Sequence, residues 1–245
     1  MLSGVIIAKN SAHIISDCLT SLSFCDEIIV VDAGSSDDTV SISKKFGAKI
    51  VKGEKLNFAK QRNMGKEQAK GEWILYIDTD ERVSIPLQKE IIQTISGNTG
   101  CNAYRLRRQN YYLGKHAWPK IEHLERLFKK SDLIEWYGEL HETAKVKGEV
   151  GDLFNYIYHY THQDLFLMTQ KTILWSDIEA KLRMNAHHPK MSWWRYFRVM
   201  VTAFYDSYFV QCGYKIGTAG LVESMFQSFS IFVTYAKLWE LQQKQ

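Results

Sequence analysis

The N-terminal part of the chain alternates short apolar runs with stretches of helical period. Gly4–Ala8, Glu27–Val31, Lys49–Val51 and Trp73–Ile77 each predict a strand. Between them, Ser11–Leu22 sets Ile14, Ile15, Cys18, Leu19 and Leu22 at helical spacing, and Asp37–Phe46 follows a serine, Ser35 or Ser36, that can cap it. Phe58–Lys70 ends at Gly71, and Pro86 suits the first turn of a helix reaching about Ile95. Strands alternating with helices build parallel βαβ units. From Asn102 to about Tyr160 the pattern changes: Ala103–Arg107, Glu125–Phe128 and Thr143–Val146 read as strands of a mixed sheet with long joins. From Leu165 the chain turns helical, with aromatic-rich helices over Met191–Gln211 and Ala219–Leu241. In the last, Val222, Met225, Phe226, Phe229, Phe232, Val233 and Ala236 form one apolar stripe. The expected architecture is α/β: a mostly parallel, mixed sheet with flanking helices over residues 1–162, then a helical appendage over 163–245.

The chemistry concentrates where strands end. Ile74-Leu75-Tyr76-Ile77 runs into Asp78-Thr79-Asp80-Glu81. Open α/β sheets bind ligands outside the carboxyl ends of their strands. Asp78 and Asp80 are close enough to share one hard divalent cation, whose open positions phosphate oxygens can fill. An exposed acidic turn is the plainer reading. The first strand ends at Ala8-Lys9-Asn10 and the second at Asp32-Ala33-Gly34-Ser35, so three strand ends share one edge. Lys60 and Arg62, at the start of the helix before the fourth strand, could both serve phosphate.

Composition narrows the partners. The 245 residues hold one large domain or a domain with an appendage. A net charge of +4 suits anionic small molecules or an anionic membrane and is too weak for nucleic acid. Cys18, Cys25, Cys101 and Cys212 lack metal-ligand or redox spacing, which predicts reduced thiols in a cytoplasmic protein. Met1 leads straight into Val5-Ile6-Ile7, without the basic leader of a secretory signal. The longest uncharged stretch near the end, Ser224–Ala236, falls short of the ~18–20 apolar residues of a span.

Three ordered motifs carry a resemblance: V-V-D-x-G-S-x-D-x-T over Val30–Thr39, Q-R-N-x-G over Gln61–Gly65, and A-K-G-E-W-I-L-Y-I-D-T-D-E-R over Ala69–Arg82. Together they resemble family 2 glycosyltransferases, nucleotide-sugar enzymes of the GT-A (Rossmann-like) fold. Leu106–Lys115, Glu125–Lys130, Gly138–Glu142 and the tail Tyr235–Glu240 resemble the bacterial lipopolysaccharide-core β-1,4-glucosyltransferases of the WaaE/KdtX type. Ala33 stands where many members carry a second aspartate. The resemblance implies an inverting, metal-dependent hexosyltransferase that takes a nucleotide diphosphate sugar, a UDP-sugar by guess, to a saccharide or lipid-linked acceptor. It implies Asp80 as metal ligand, Asp78 on ribose or the metal, and Asp32, Ala8 and Asn10 lining the nucleotide pocket. It places nucleotide-sugar binding in 1–100 and the acceptor part in 101–162. Arg62 is set on phosphate against a solvated helix charge, Arg126 could equally bind an acceptor phosphate or form a structural ion pair, and His159 could approach the metal, Mg²⁺ or Mn²⁺, against a structural role. The attacking hydroxyl must lose a proton, and Glu142 is the candidate base, with His141 as alternative or orienting partner. A sugar nucleotidyltransferase and a non-catalytic membrane scaffold are the competing readings.

Trp118 and Trp136 could stack on sugars, against core packing as the ordinary role of tryptophan. Toward the end, Trp193, Trp194, Tyr196, Phe197, Phe204, Tyr205, Tyr208 and Phe209 lie among Lys190, Arg195 and Arg198. Basic and aromatic residues together mark an interfacial helix on the inner face of the cytoplasmic membrane; packing on the catalytic domain, or a homodimer, is the plainer use.

Overall fold

The structure is a computed structural model that describes residues 1–54, 57–97, 100–138 and 142–244. Its N-terminal half runs β1 (Leu2–Ala8), α1 (Ile15–Ser21), β2 (Glu27–Asp32), α2 (Thr39–Lys45), β3 (Lys49–Lys52), α3 (Phe58–Gln68), β4 (Trp73–Asp78), β5 (Glu81–Val83) and α4 (Ile85–Ser96). Then come β6 (Ala103–Tyr112), β7 (His116–Ala117), β8 (Glu122–Lys129), β9 (Leu133–Tyr137), β10 (Thr143–Val146), β11 (Val150–Tyr160), α5 (Leu165–Asn185), α6 (Trp193–Tyr205) and α7 (Gly217–Gln243). The main sheet has the order β3-β2-β1-β4-β8-β6-β11-β5, with β7 beside β6. β3, β2, β1 and β4 are parallel; β8 joins β4 antiparallel, so the sheet is mixed as expected for a GT-A fold.

The central parallel strands β1 and β4 are buried on both faces because both are covered, whereas β3 at the edge is not. Leu2, Ile6, Leu75 and Ile77 pack with Ile15, Leu19 and Leu87 on one side; Val5, Val31, Ile74 and Tyr76 pack with Ala59 of α3 on the other. Parity then decides the site: Asp78 lies in step with Ile74 and Tyr76, on the face that α3 covers. The registers Ala8↔Asp32 and Ile7↔Asp78 bring the three strand ends to one edge.

Gly65 explains the last letter of the Q-R-N-x-G motif. A Cβ there would sit 2.3 Å from Val5 Cγ1, so only glycine lets α3 lie this close to β1. Gly65→Ala should cost about 1–3 kcal/mol by overpacking. A urea titration reads this, and Val5→Ala in the same chain should recover part of the loss; no recovery would place the strain elsewhere.

Strands β5, β7, β9 and β11 were not foreseen. β11 mixes aromatic and polar residues and is only half-buried, so its pattern lacks a clean period. β9 and β10 form a separate two-stranded ribbon. Trp136 of β9 is buried against Tyr76 and Phe128, and Trp118 is buried with its Nε1–H donating to Gln211 Oε1 at 3.0 Å. Neither indole is exposed to stack on a sugar. All four cysteines are free thiols, and burial pushes Cys18 far up and Cys25 up to about 12, so both are inert.

The chain forms two compact units: Met1–Gln109 with Glu122–His159, and Asn110–Ile121 with Tyr160–Gln245. Segment 110–121 groups with the helices because Trp118 bonds Gln211 and the Leu113 N–H donates to His162 O at 2.8 Å. In the second unit, among the described residues, Gly213–Gln243 is long and apolar enough by length and composition to cross a membrane, contrary to the expectation from Ser224–Ala236. The acidic residue that cut the run short, Glu223, is fully buried and held by His162 at 2.9 Å and Gln227 at 2.6 Å.

Candidate active site

Hydrogen bonds sew the three strand ends together. The Asn10 N–H donates to Ser35 Oγ at 2.9 Å, and Asn10 Oδ1 accepts the Ser36 N–H at 2.8 Å. Ser11 N–H donates to Thr39 Oγ1 at 2.7 Å, while Ser11 Oγ donates to Thr79 Oγ1 at 3.2 Å. Asn10 therefore bridges loops rather than capping α1, which begins at Ile15. Buried Asp32 accepts the N–H groups of Gly34 and Ser35, both at 3.1 Å. Its carboxylate shapes the turn, and Gly34, at φ 83°, supplies the left-handed backbone that the turn needs. Ala8 is buried one strand away, and its carbonyl accepts the Ala33 N–H at 2.9 Å.

Beneath this edge lies a charged network. Arg62, only 2% exposed, projects from α3 and donates through Nη2 to Asp78 Oδ1 at 3.0 Å. Through Nε it donates to Glu142 Oε1 at 2.9 Å, with Nη2 at 2.8 Å from the same oxygen. Its guanidinium lies 4.9 Å from the Trp136 ring centre. Asn63 positions that ring by donating to Trp136 O at 2.9 Å and accepting its N–H at 2.8 Å. Arg126, buried in β8, donates to Asp78 Oδ2 at 2.7 Å and to Glu81 Oε1 at 3.2 Å. Glu81, 0% exposed, also accepts Arg108 at 3.1 Å and the Asp78 N–H at 2.9 Å. Arg108 pairs in addition with Glu122.

Burial alone would raise the Asp78 pKa, but Arg126, Arg62 and Arg108 outweigh it and hold the carboxyl well below the ordinary range. Burial opposes the charge on Arg126, yet Asp78 and Glu81 raise its pKa further. Both Asp78 oxygens are thus engaged by arginines.

Asp80 is placed differently. It is 20% exposed on its side chain and lies with Oδ2 3.4 Å from Nε2 of His159, itself 15% exposed, on β11. The pairing follows from β5 against β11, where His159 is the register partner of Glu81. The turn that presents Asp80 is braced by Arg82, which donates to Thr79 O and Glu81 O at 2.8 Å and to Ile14 O at 2.7 Å.

The structure therefore brings Ala8, Asn10 and Asp32 together at one edge, Arg62, Asp78, Arg126 and Glu142 into one network, and Asp80 with His159. Lys60 stays on the surface, 3.1 Å from Glu54. His141 lies outside the described residues. Glu81 and Arg108 were missed. The sequence signal for Glu81 was its place directly after Asp80; Arg108 carried none. Among the described residues no three His, Cys, Asp or Glu side chains gather as a closed metal site.

Comparison with known proteins follows the same lines. Residues 3–146 match the family model described as glycosyl transferase family 2. An uncharacterized glycosyltransferase of Rickettsia bellii is 31% identical, over 98% of this chain and 86% of that protein. The lipopolysaccharide core biosynthesis glycosyltransferase LpsC of Rhizobium meliloti is 24% identical, over 98% of this chain and 92% of that protein. Among solved structures, S. aureus TarS 1–349 in complex with UDP superposes with a TM-score of 0.53 at 16% identity, covering 100% of this chain and 92% of that one, a likeness of fold.

Proposed function

Since the chain belongs to glycosyl transferase family 2, we propose that it moves a hexose from a nucleotide diphosphate sugar to a saccharide or lipid-linked saccharide acceptor, with inversion. The finer reading is glucose from UDP-glucose to a lipopolysaccharide inner-core sugar, at the cytoplasmic face of the membrane. Its support is the resemblance of Leu106–Lys115, Glu125–Lys130 and Gly138–Glu142 and the likeness to LpsC.

The observation that carries the reading is the separation of the two aspartates into two settings. Asp78 is bound up with Arg62 and Arg126, whereas Asp80 stands beside His159 at the strand edge. Arg62, Arg108 and Arg126 face Asp78, Glu81, Glu122 and Glu142, so the arginines hold no surplus positive charge for a diphosphate. A divalent cation suits that deficit. Asp80 and His159 would hold Mg²⁺ or Mn²⁺, with its remaining positions left to diphosphate oxygens and water. When bound, it would act as a Lewis acid that neutralises the departing diphosphate.

The protein's own groups do the rest. Ala8, Asn10 and Asp32 frame the nucleotide edge. Glu142 takes the proton of the attacking hydroxyl; Arg62 fixes the carboxylate through Oε1, and Oε2 accepts no hydrogen bond among the described residues. Attack from the face opposite the leaving group inverts the anomeric carbon.

A thermal-shift panel of UDP-, GDP-, dTDP- and CMP-sugars, each with and without Mn²⁺, tests this. One sugar nucleotide should stabilise the protein in a Mn²⁺-dependent way, and Asp80→Ala should abolish the effect. Stabilisation by none of them, without turnover, would return the protein to the scaffold reading; release of pyrophosphate would mark a nucleotidyltransferase.

A further inference from the structure

Helix α7 turns much of its polar side inward, beside a small apolar cluster of Ala180, Met191, Tyr235 and Leu238. The buried positions of α7 are Gly220, Glu223, Ser224, Thr234, Tyr235 and Leu238. Leu221, Met225, Phe229, Phe232 and Trp239 of the same helix are exposed. Of the apolar stripe read from the sequence, Met225, Phe229 and Phe232 thus stand outside, while Phe226 is half-buried against His162. The interior is joined by hydrogen bonds, Glu223 to His162 at 2.9 Å and Ser207 to Ser224 at 2.9 Å, and by close backbone approach: a Cβ on Gly220 would meet Gly213 O at 1.8 Å. Small residues and interhelical hydrogen bonds inside, with apolar side chains outside, is how helices associate when hydrocarbon is the surrounding medium.

Helix α6 goes further, since none of its residues is buried. Trp193, Phe197, Val201 and Tyr205 recur every fourth position, so they form one stripe, and they are 76%, 67%, 63% and 57% exposed. Water is a poor medium for such a stripe. The charge beside it selects among possible covers. From Ala186 to Tyr205 the chain carries Lys190, Arg195 and Arg198 and no Asp or Glu. Arg195 and Arg198 lie 4.8 and 5.6 Å from the Trp194 ring centre, a cationic and aromatic pairing suited to the headgroup level of a bilayer.

We propose that α6 lies in the interface of an anionic phospholipid bilayer, with Trp193, Phe197, Val201 and Tyr205 immersed and Lys190, Arg195 and Arg198 on the lipid phosphates. This deepens the glycosyltransferase reading, because it gives a lipid-linked acceptor a surface on which to be met.

Flotation of the full chain with vesicles tests it. The protein should float with phosphatidylcholine vesicles that contain phosphatidylglycerol, and less with phosphatidylcholine alone. Trp193→Ser with Phe197→Ser should cut the bound fraction by about tenfold, and Arg195→Glu with Arg198→Glu should remove the anionic preference. Phe46→Ala, an exposed aromatic of the first unit, should change nothing. None of the four residues replaced in α6 is buried, and circular dichroism checks that their variants fold. Absence of flotation by the unaltered protein on either vesicle overturns the proposal. So does equal flotation of the Trp193/Phe197 variant. Concentration-dependent self-association lost in that variant would assign the face to a second copy instead. Nucleotide-sugar stabilisation should be the same in all these chains, so its presence without flotation sinks the lipid face alone, and flotation without it sinks the transferase reading alone.

Discussion

Arg62→Ala should destabilise the fold by about 3–5 kcal/mol, because it strips a buried partner from two carboxylates at once. Asp78 would keep Arg126, but Glu142 would lose both of its bonds to the guanidinium. The Trp136 ring would lose the cation above it. Arg62→Lys should restore little, since an ammonium cannot span Asp78 and Glu142 as the planar fork does. The effect has a pH signature. With its folded pKa depressed, Asp78 contributes stability above its ordinary titration range, and that contribution is lost as pH falls through the folded value. Without Arg62 the depression shrinks, so acid unfolding should begin at higher pH. Urea titrations at neutral pH and down through the acid range measure both effects. A loss below about 1 kcal/mol, the range of exposed pairs, would show that the network is solvated and that Arg62 is dispensable to the fold.

Glu142→Gln should lower kcat by roughly 10²–10⁴-fold, the usual worth of a general base. It should leave stability and donor binding nearly unchanged, because the amide oxygen can still accept from Arg62. The substitution therefore separates chemistry from architecture, which Arg62→Ala does not. Rates with saturating donor and acceptor, set beside a thermal melt of the same sample, give the answer. Activity within tenfold of the unaltered enzyme would remove Glu142 from proton transfer, and His141→Ala would then be the next variant to assay. Equal losses of stability and rate would make Glu142 a strut for Arg62.

Much of the fold was legible because its signals are local. The early strands are continuous apolar runs, and parallel strands buried on both faces cannot be written otherwise. Asn57 accepts the Lys60 N–H and Ser84 accepts the Leu87 N–H, so the caps of α3 and α4 stand in the sequence beside their helices. The middle strands were harder. β11 is only half-buried and pairs with β5, far back along the chain, while β9 is short and pairs with β10 just beyond it.

The site divides in the same way. Asp32, Asp78 and Asp80 could be found because each follows a strand, and the strands' order sets them on one edge. Arg108 could not, since it reaches Glu81 across 27 positions, and Arg62 reaches Glu142 across 80. No local pattern records such distances.

By itself, then, the sequence determined the order of elements, the edge at which the chemistry gathers and the family to which the motifs belong, because hydrophobic period and strand-end residues act over a few positions. Tertiary structure alone decided that Asp78 is held by arginines while Asp80 stands beside His159, and that α7 turns Glu223 and Ser224 inward and Phe229 and Phe232 outward. A periodic stripe shows that two faces of a helix differ. Which face meets protein depends on what the rest of the chain offers as a partner, and here His162 and Ser207 offer polar partners to Glu223 and Ser224.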